Sequence, residues 1–258
     1  MKVSFEKYQA TGNDFVMLDN RDGRYDTLER EAIQRLCDRR FGVGGDGLIM
    51  LNNSKKYDFE MHYFNADGAP GSMCGNGGRC ILAFASKKGI TGDELHFLAY
   101  DGAHSGRFED GLVSLKMNPV TGVHDNGDDK VLDTGSPHYV RFVHSLNHLD
   151  VFNEGRSIRN SDTFKAKGIN VNFVERVGND EIYVRTYERG VEDETYSCGT
   201  GVTAASIAAG SLADGNKQFK IRTRGGNLKV SYTKKGDRYE DIWLTGPATF
   251  VFDGEIEI

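Results

Sequence analysis

Proline is scarce in this chain, at four among 258 residues, and 32 glycines supply the turns instead. Such a composition leaves no room for a proline-rich linker, and no low-complexity tract is present. No apolar run approaches the roughly 20 residues that a membrane helix needs. The opening segment MKVSFEKYQATGNDF lacks an apolar core, so no signal peptide is visible. Basic residues do not cluster, and the net charge is −6 with a pI near 5.7. That balance excludes nucleic acid and an anionic membrane surface as expected partners. Four cysteines are too few for a disulfide scaffold at this length. The expectation is a cytoplasmic protein, large enough for one big domain or two of ordinary size.

What the chain does have is one unusual pattern, twice. Cys74-Gly75-Asn76-Gly77 and Cys198-Gly199-Thr200-Gly201 lie about half the chain apart. Each opens a stretch of small and aliphatic residues, GRCILAFASKKG and VTAASIAAGSL, closed by Gly89 and by Gly210. Both stretches read as helices. Each cysteine therefore sits at a helix N-terminus, where unpaired N–H groups and the helix dipole favour negative charge. A thiol there ionises more readily than a free one. Alternating runs, Tyr57–Phe64 and Glu181–Tyr187, precede the two motifs and read as strands. Asn65 lies nine residues before Cys74, and Arg189 nine before Cys198. The shared unit of strand, polar residue, loop, Cys-Gly-x-Gly and helix predicts two similar lobes with a cysteine on each side of one reaction centre.

Along the rest of the chain, Val3–Gln9 reads as a strand and Leu28–Arg40 as an amphipathic helix with Cys37 on its buried face. A short strand follows at Leu48–Leu51, and Cys80 falls on the packed side of the first repeat helix. Further strands are expected near Glu94–Tyr100, His104–Glu109, Leu112–Met117, Tyr139–Val143 and Ile169–Arg176. Three more are expected near Phe219–Thr223, Leu228–Lys234 and Glu240–Leu244, with a short helix at Asp162–Ala166. Asn118–Asp133 reads as the connection between lobes. Phe250–Ile258 reads as a strand that pattern alone assigns to neither lobe.

Several chemistries fit poorly. Gly42-Val43-Gly44-Gly45-Asp46-Gly47 matches G-x-G-x-x-G by letter, but a helix precedes it and a strand follows, the reverse of a dinucleotide site. It reads as a structural turn in which Asp46 binds local backbone. Cys74 and Cys80 lie too far apart for a zinc knuckle, and no His pair accompanies them. Cysteine-protease chemistry needs one thiol and a histidine, not two equivalent thiols. Two equivalent thiols suit inversion of a carbon stereocentre. One takes a proton from one face while the other delivers a proton to the opposite face. The charge developing on an α-carboxylate would then be met by helix N-termini, without a cofactor.

The residues resemble the diaminopimelate epimerase family nearly end to end. The resemblance rests on Gly12-Asn13-Asp14-Phe15-Val16, Phe64-Asn65-Ala66-Asp67-Gly68 and Cys74-Gly75-Asn76-Gly77-Gly78-Arg79-Cys80. It continues through Ser136-Pro137-His138, Tyr187-Glu188-Arg189-Gly190, Cys198-Gly199-Thr200-Gly201, Thr245-Gly246-Pro247-Ala248 and Asp253-Gly254. It implies an α/β fold of two related lobes, each a mostly antiparallel, barrel-like sheet around a central helix. Residues 1–117, joined by a returning strand at about 249–258, would form one lobe and 118–248 the other. It implies Cys74 and Cys198 as acid/base thiols, tuned by His138 and Glu188. Gly75, Asn76, Gly199 and Thr200 would bind the reacting carboxylate. Asn13, Asn65, Ser136, Asn170, Glu188 and Arg189 would surround the substrate. Arg189 suits the distal carboxylate bidentately, and Glu188 the distal ammonium. The resemblance also implies a homodimer, no cofactor and no metal.

Two departures stand out. Many members carry Asn-Pro-His where this chain has Ser136-Pro137-His138, and some carry Gln where it has Gly47. The alternatives are another amino-acid racemase of the same fold, of the proline or hydroxyproline type, or a non-catalytic binding protein. The distal set of Asn65, Asn170, Glu188 and Arg189 argues against the first, and retention of both cysteines against the second.

Overall fold

The computed structural model describes residues 1–71, 73–210 and 212–258. Ser211, at the tail of the second small-residue stretch, lies outside the described residues. The chain divides into two compact units, Met1–Leu115 with Gly246–Ile258, and Lys116–Thr245.

Unit 1 runs β1 (Lys2–Ala10), β2 (Asn13–Asp19), α1 (Arg30–Cys37), β3 (Gly47–Asn52), β4 (Phe59–Asn65), α2 (Gly75–Lys87), β5 (Glu94–Ala99), β6 (Gly102–Glu109) and β7 (Leu112–Lys116). Neighbours β1–β2, β3–β4, β5–β6 and β6–β7 pair antiparallel, while β2–β3 and β4–β5 pair parallel. Helix α2 packs across β1, β2, β3, β4 and β6, with Cys80, Ile81, Leu82, Phe84 and Ala85 buried. On the other side α1 covers Val16, Leu18, Leu48 and Met50 through Ile33, Leu36 and Cys37.

Unit 2 holds β8 (Val120–Thr121), β9 (His124–Asn126), β10 (Asp129–Asp133), β11 (Pro137–Phe142), α3 (Val151–Arg159), β12 (Asn170–Arg176) and β13 (Glu181–Glu188). After β14 (Asp193–Thr195) come α4 (Gly199–Ala209), β15 (Gly215–Thr223), β16 (Gly226–Lys235) and β17 (Arg238–Gly246). Pairs β10–β11, β12–β13, β15–β16 and β16–β17 are antiparallel, and β11–β12 and β13–β15 are parallel. This is the order and sense of unit 1, step for step, with α3 standing where α1 stands and α4 where α2 stands. Helix α4 is buried on nearly all sides against β10–β13, β15 and β16. It is apolar around its circumference, as a helix inside a sheet must be. The last strand, β18 (Thr249–Glu257), pairs antiparallel with β1 in unit 1 and so takes the returning position.

Four expectations are corrected. Helix α1 stops at Cys37 because Asp38 turns extended and its carboxylate accepts from the N–H groups of Arg40 and Phe41. Residues 162–167 form turns, and the helix lies earlier, at α3, capped by the Asp150 side chain on Asn153 N. Asn118–Asp133 is no bare connection: β9 and β10 form a hairpin there, and β8 pairs with β17. Gly89 has the left-handed φ of +88° expected of a helix end, but Gly210 is extended at φ −68°. Its reason to be glycine is space, since a Cβ would stand 2.1 Å from the Tyr232 hydroxyl.

Candidate active site

Each unit presents one cysteine as the N-cap of its central helix. Cys74 caps α2 with extended backbone, φ −109° and ψ 135°. Cys198 caps α4 at φ −114° and ψ 114°. The N–H groups of the first helical turn have no intrahelical acceptor, so both sulfurs border a positively polarised helix end.

In unit 1 three expected residues meet. The Asn13 Oδ1 atom lies 3.6 Å from Cys74 Sγ and accepts from Asn76 Nδ2 at 3.2 Å. The Asn13 amide has only one orientation available. Its Nδ2 donates to Asp46 Oδ2 at 2.6 Å, which leaves Oδ1 facing Cys74 and Asn76. Asp46 is held by Arg39 at 2.7 Å, and the same guanidinium grips Asp14 at 2.7 and 3.0 Å. Lys7, buried, adds an ion pair to Asp14 at 2.7 Å and donates to Gly44 O. Burial pushes Asp14 up, but hydrogen bonds and charge from Arg39 and Lys7 outweigh it and hold the carboxyl at about 2. The Gly-rich turn is thus structural, and Asp46 does bind backbone, at Asp14 N. Asn65 stands exposed at the end of β4, paired in register with Gly47. Gly47 has no room for a side chain. A Cβ would meet Phe64 O at 2.5 Å and the Tyr63 ring at 2.6 Å. The Tyr63 ring fills the space that a side chain at residue 47 would take.

In unit 2 the residues fall into two groups. Cys198 Sγ accepts from Gly201 N at 3.4 Å and lies 3.4 Å from Thr200 Oγ1. Thr134 Oγ1 donates to Thr200 O at 2.9 Å and ties the strand β11 approach to α4. Separately, Ser136 Oγ accepts from Asn170 Nδ2 at 2.9 Å and from Arg189 Nη2 at 3.4 Å. The Ser136 hydroxyl proton is then left to donate outward. Asn170 is fully committed: its amide donates also to Pro137 O at 3.3 Å, and its Oδ1 accepts from Arg189 N at 2.8 Å. Arg189 is exposed, bonded otherwise to Lys167 O at 3.2 Å, and meets no carboxylate among the described residues. Glu188 sits half-buried at the end of β13, opposite Asp193.

His138 is fully buried beside Asn172. Asn172 Oδ1 accepts from Thr186 Oγ1 at 3.0 Å, so its Nδ2 is the group facing His138 Nδ1 at 3.1 Å. His138 must accept there and carry its proton on Nε2, which has no hydrogen-bond partner among the described residues. Burial, reinforced by the charge of Arg189, pulls His138 down to about 3. It is a neutral donor over the whole physiological range. Asn172 Oδ1 also lies where a Cβ on Gly201 would fall, at 2.3 Å, so Gly201 admits no side chain.

The sequence reading missed Asp46 as the group orienting Asn13, and it missed Asn172 altogether. Asn172 was legible in principle, because it follows Asn170 at the two-residue spacing of one strand face. The remaining cysteines behave as packed thiols. Burial pushes Cys37 up to about 12 and raises Cys80 as well. A separate groove of about 910 Å³ in unit 1, lined by Glu6, Arg21, Tyr25, Phe84, Lys88 and Glu255, holds none of the expected site residues. Among the described residues no three His, Cys, Asp or Glu side chains gather as a metal site.

The family model for diaminopimelate epimerase matches residues 5–104 and 130–251. This chain belongs to the diaminopimelate epimerase family. It is 47% identical over 252 residues to the diaminopimelate epimerase of Flavobacterium psychrophilum, covering 97% of this chain and 98% of the relative. It is 40% identical to that of Chlorobaculum tepidum, covering 96% and 99%. Among solved structures it is similar to a Bacillus anthracis phenazine biosynthesis protein of the PhzF family, at TM-score 0.77 and 16% identity over the full length of both chains. It is also similar to a hydroxyproline epimerase from Agrobacterium vitis, at TM-score 0.68 and 11% identity over 99% and 92%. Identities that low speak to the fold alone. The fold is a mixed α/β architecture shared with these two structures.

Proposed function

We propose that this protein is an isomerase interconverting LL-2,6-diaminopimelate and meso-2,6-diaminopimelate, in lysine and peptidoglycan precursor synthesis. The observation that carries the reading is the repeat itself. Two units with one strand order each start their central helix at a capping cysteine. In the reaction, one cysteine as thiolate takes the α-proton and becomes a thiol. The other, as thiol, gives its proton to the opposite face and becomes a thiolate. The pair ends with its protons exchanged, ready for the reverse direction. The N–H groups of Gly75, Asn76, Gly199 and Thr200 receive the charge that builds on the carboxylate.

The second amino-acid end needs its own contacts. Arg189, exposed and meeting no carboxylate among the described residues, offers a fork to the distal carboxylate, and the outward Ser136 hydroxyl adds one donor. Asn170, committed within the protein, holds those two in place rather than reaching the ligand. Glu188 and Asn65 would meet the distal ammonium. His138, as a neutral Nε2–H donor, would tune a thiolate by hydrogen bonding rather than by taking its proton. No cofactor is required in this scheme.

The protein would work in the cytoplasm, in keeping with four free cysteines. We further propose a homodimer. Phe250, Val251 and Phe252 of β18 stand 38, 51 and 44% exposed, and large apolar side chains left open on a strand suit an interaction surface. Light scattering after Phe252→Glu tests it: a monomer is expected, and an unchanged mass contradicts it. For the reaction, α-carbon exchange in deuterated water with LL-diaminopimelate and with proline separates the two substrate classes. Exchange on diaminopimelate supports the reading, and exchange on proline alone overturns it.

A further inference from the structure

Arg79 is fully buried in α2, one turn beyond the N-terminus that Cys74 caps. All of its hydrogen bonds end on neutral acceptors. These are Gly75 O at 3.3 Å, Asn76 Oδ1 at 2.9 Å, Thr11 Oγ1 at 3.3 Å and Pro247 O at 3.4 Å. Among the described residues no carboxylate meets it. A buried charge without a counter-ion is strongly unfavourable, so a fold that keeps one reserves it for something. Two of the four acceptors lie at the helix N-terminus. One is the carbonyl of Gly75, bonded directly to Cys74. The other fixes the Asn76 amide, which then presents Nδ2 to the Asn13 oxygen that also faces Cys74 Sγ.

We propose that Arg79 is a positioning residue that sets a full, unneutralised positive charge beneath the α2 N-terminus, with the Cys74 thiolate and the substrate carboxylate as its counter-ions. The proposal rests on the reading of Cys74 as an acid/base thiol. The matching position of the repeat in α4 is Thr203, buried and neutral, its hydroxyl donating to Gly199 O at 2.9 Å. Cys198 has instead the direct hydrogen bond from Gly201 N. The buried charge is thus a feature of the Cys74 helix and not of the Cys198 helix. Burial pulls the guanidinium down to about 10, so it stays protonated at neutral pH. The other ionisable groups around this half of α2 do not replace it. Lys7 on β1 is paired with Asp14 on β2, which Arg39 also holds. Cys80 is kept protonated by burial. Glu6 is tied to Lys87 and Lys88 at the other end of the helix.

The test is alkylation by iodoacetamide across a pH series on the full-length protein without substrate, read at each cysteine by peptide mass. Arg79→Met should move the Cys74 profile up by roughly one pH unit and leave that of Cys198 in place. Arg79→Lys, which keeps the charge, should restore most of the Cys74 profile. If the Met variant does not fold, Arg79→Gln is read in the same way. An unmoved Cys74 profile, or equal shifts at both thiols, overturns the proposal. The readout needs no turnover, so failure of the epimerase reading would show separately, as absent α-carbon exchange in the unsubstituted protein.

Discussion

In unit 1 the helix that Cys74 caps begins Gly-Asn-Gly-Gly-Arg. In unit 2 the helix that Cys198 caps begins Gly-Thr-Gly-Val-Thr. The scaffolds beneath them pair their strands in one order and one sense. Around the caps, though, the side chains diverge. Cys74 lies in a network fixed from outside by ions, from Lys7 and Asp14 through Arg39 and Asp46 to Asn13, and from below by Arg79. Cys198 bonds with Thr200 and Gly201 N, and nearby the neutral His138 and Thr186 meet Asn172. A repeat preserves what the backbone must do, which is to aim a helix end at a sulfur. It leaves each half free to solve the electrostatics in its own way.

The comparison breaks first at the cysteines. Cys74→Ser and Cys198→Ser should each lower epimerisation by about a thousandfold or more, because a hydroxyl is a far weaker acid. A variant near the unsubstituted rate would mean that one half is ornamental. Next comes Arg189, an exposed cation of unit 2 that meets no carboxylate among the described residues. Arg189→Lys should cost about a hundredfold in kcat/KM through loss of the fork, with both thiols still alkylated at normal rates. Unchanged efficiency would make Arg189 a surface residue.

Packing under the second cap is a sharper and smaller test. Gly201→Ala places a Cβ 2.3 Å from Asn172 Oδ1 and should destabilise unit 2 by about 1–3 kcal/mol, measured by urea unfolding. Asn172→Ala prepared alongside should relieve part of that cost. No relief would show that the contact does not set the requirement for glycine.

The pH dependence separates the halves again. His138 has a folded value of about 3, below its unfolded value of 6.5, so the unfolded chain binds more protons between the two. Its contribution is present above 6.5 and lost as pH falls toward 3. Asp14, at about 2 against 3.8, adds a loss only below 3.8. Melting temperature against pH should therefore fall from the His138 region first, and His138→Gln should remove that limb alone. A variant with the same slope contradicts the assignment. The smallest effect concerns the packed thiols. Mild oxidation should inactivate the enzyme through a Cys74–Cys198 bond that reductant reverses, while Cys37 and Cys80 stay reduced. A bond to either packed thiol would contradict it.

Much of this was legible in the sequence, and the exceptions have physical causes. The repeat strands and helices α2 and α4 announce themselves through alternation, small residues and closing glycines. Helix α3 does not, because Gly155 interrupts it. That glycine is there for contact, since a Cβ would stand 2.3 Å from Tyr187 Cβ. The β9–β10 hairpin carried its signal in the two-residue turn Gly127-Asp128, with Gly127 at φ +67°, but its strands are too short to show alternation. The two cysteines and the small residues after them could be named from motif and helix position. The roles of Asp46 and Arg79 could not, because orienting an amide or burying an unpaired charge is a property of distances across the sheet.

The most direct measurement of the two-thiol claim follows deuterium during early turnover of LL-diaminopimelate in deuterated water. The thiolate takes hydrogen from one face, and the solvent-exchanged thiol delivers deuterium to the other. The meso product should therefore carry deuterium at the inverted carbon while the remaining LL-substrate carries almost none. Product without deuterium, or deuterium entering recovered substrate before product forms, would show a single base serving both faces.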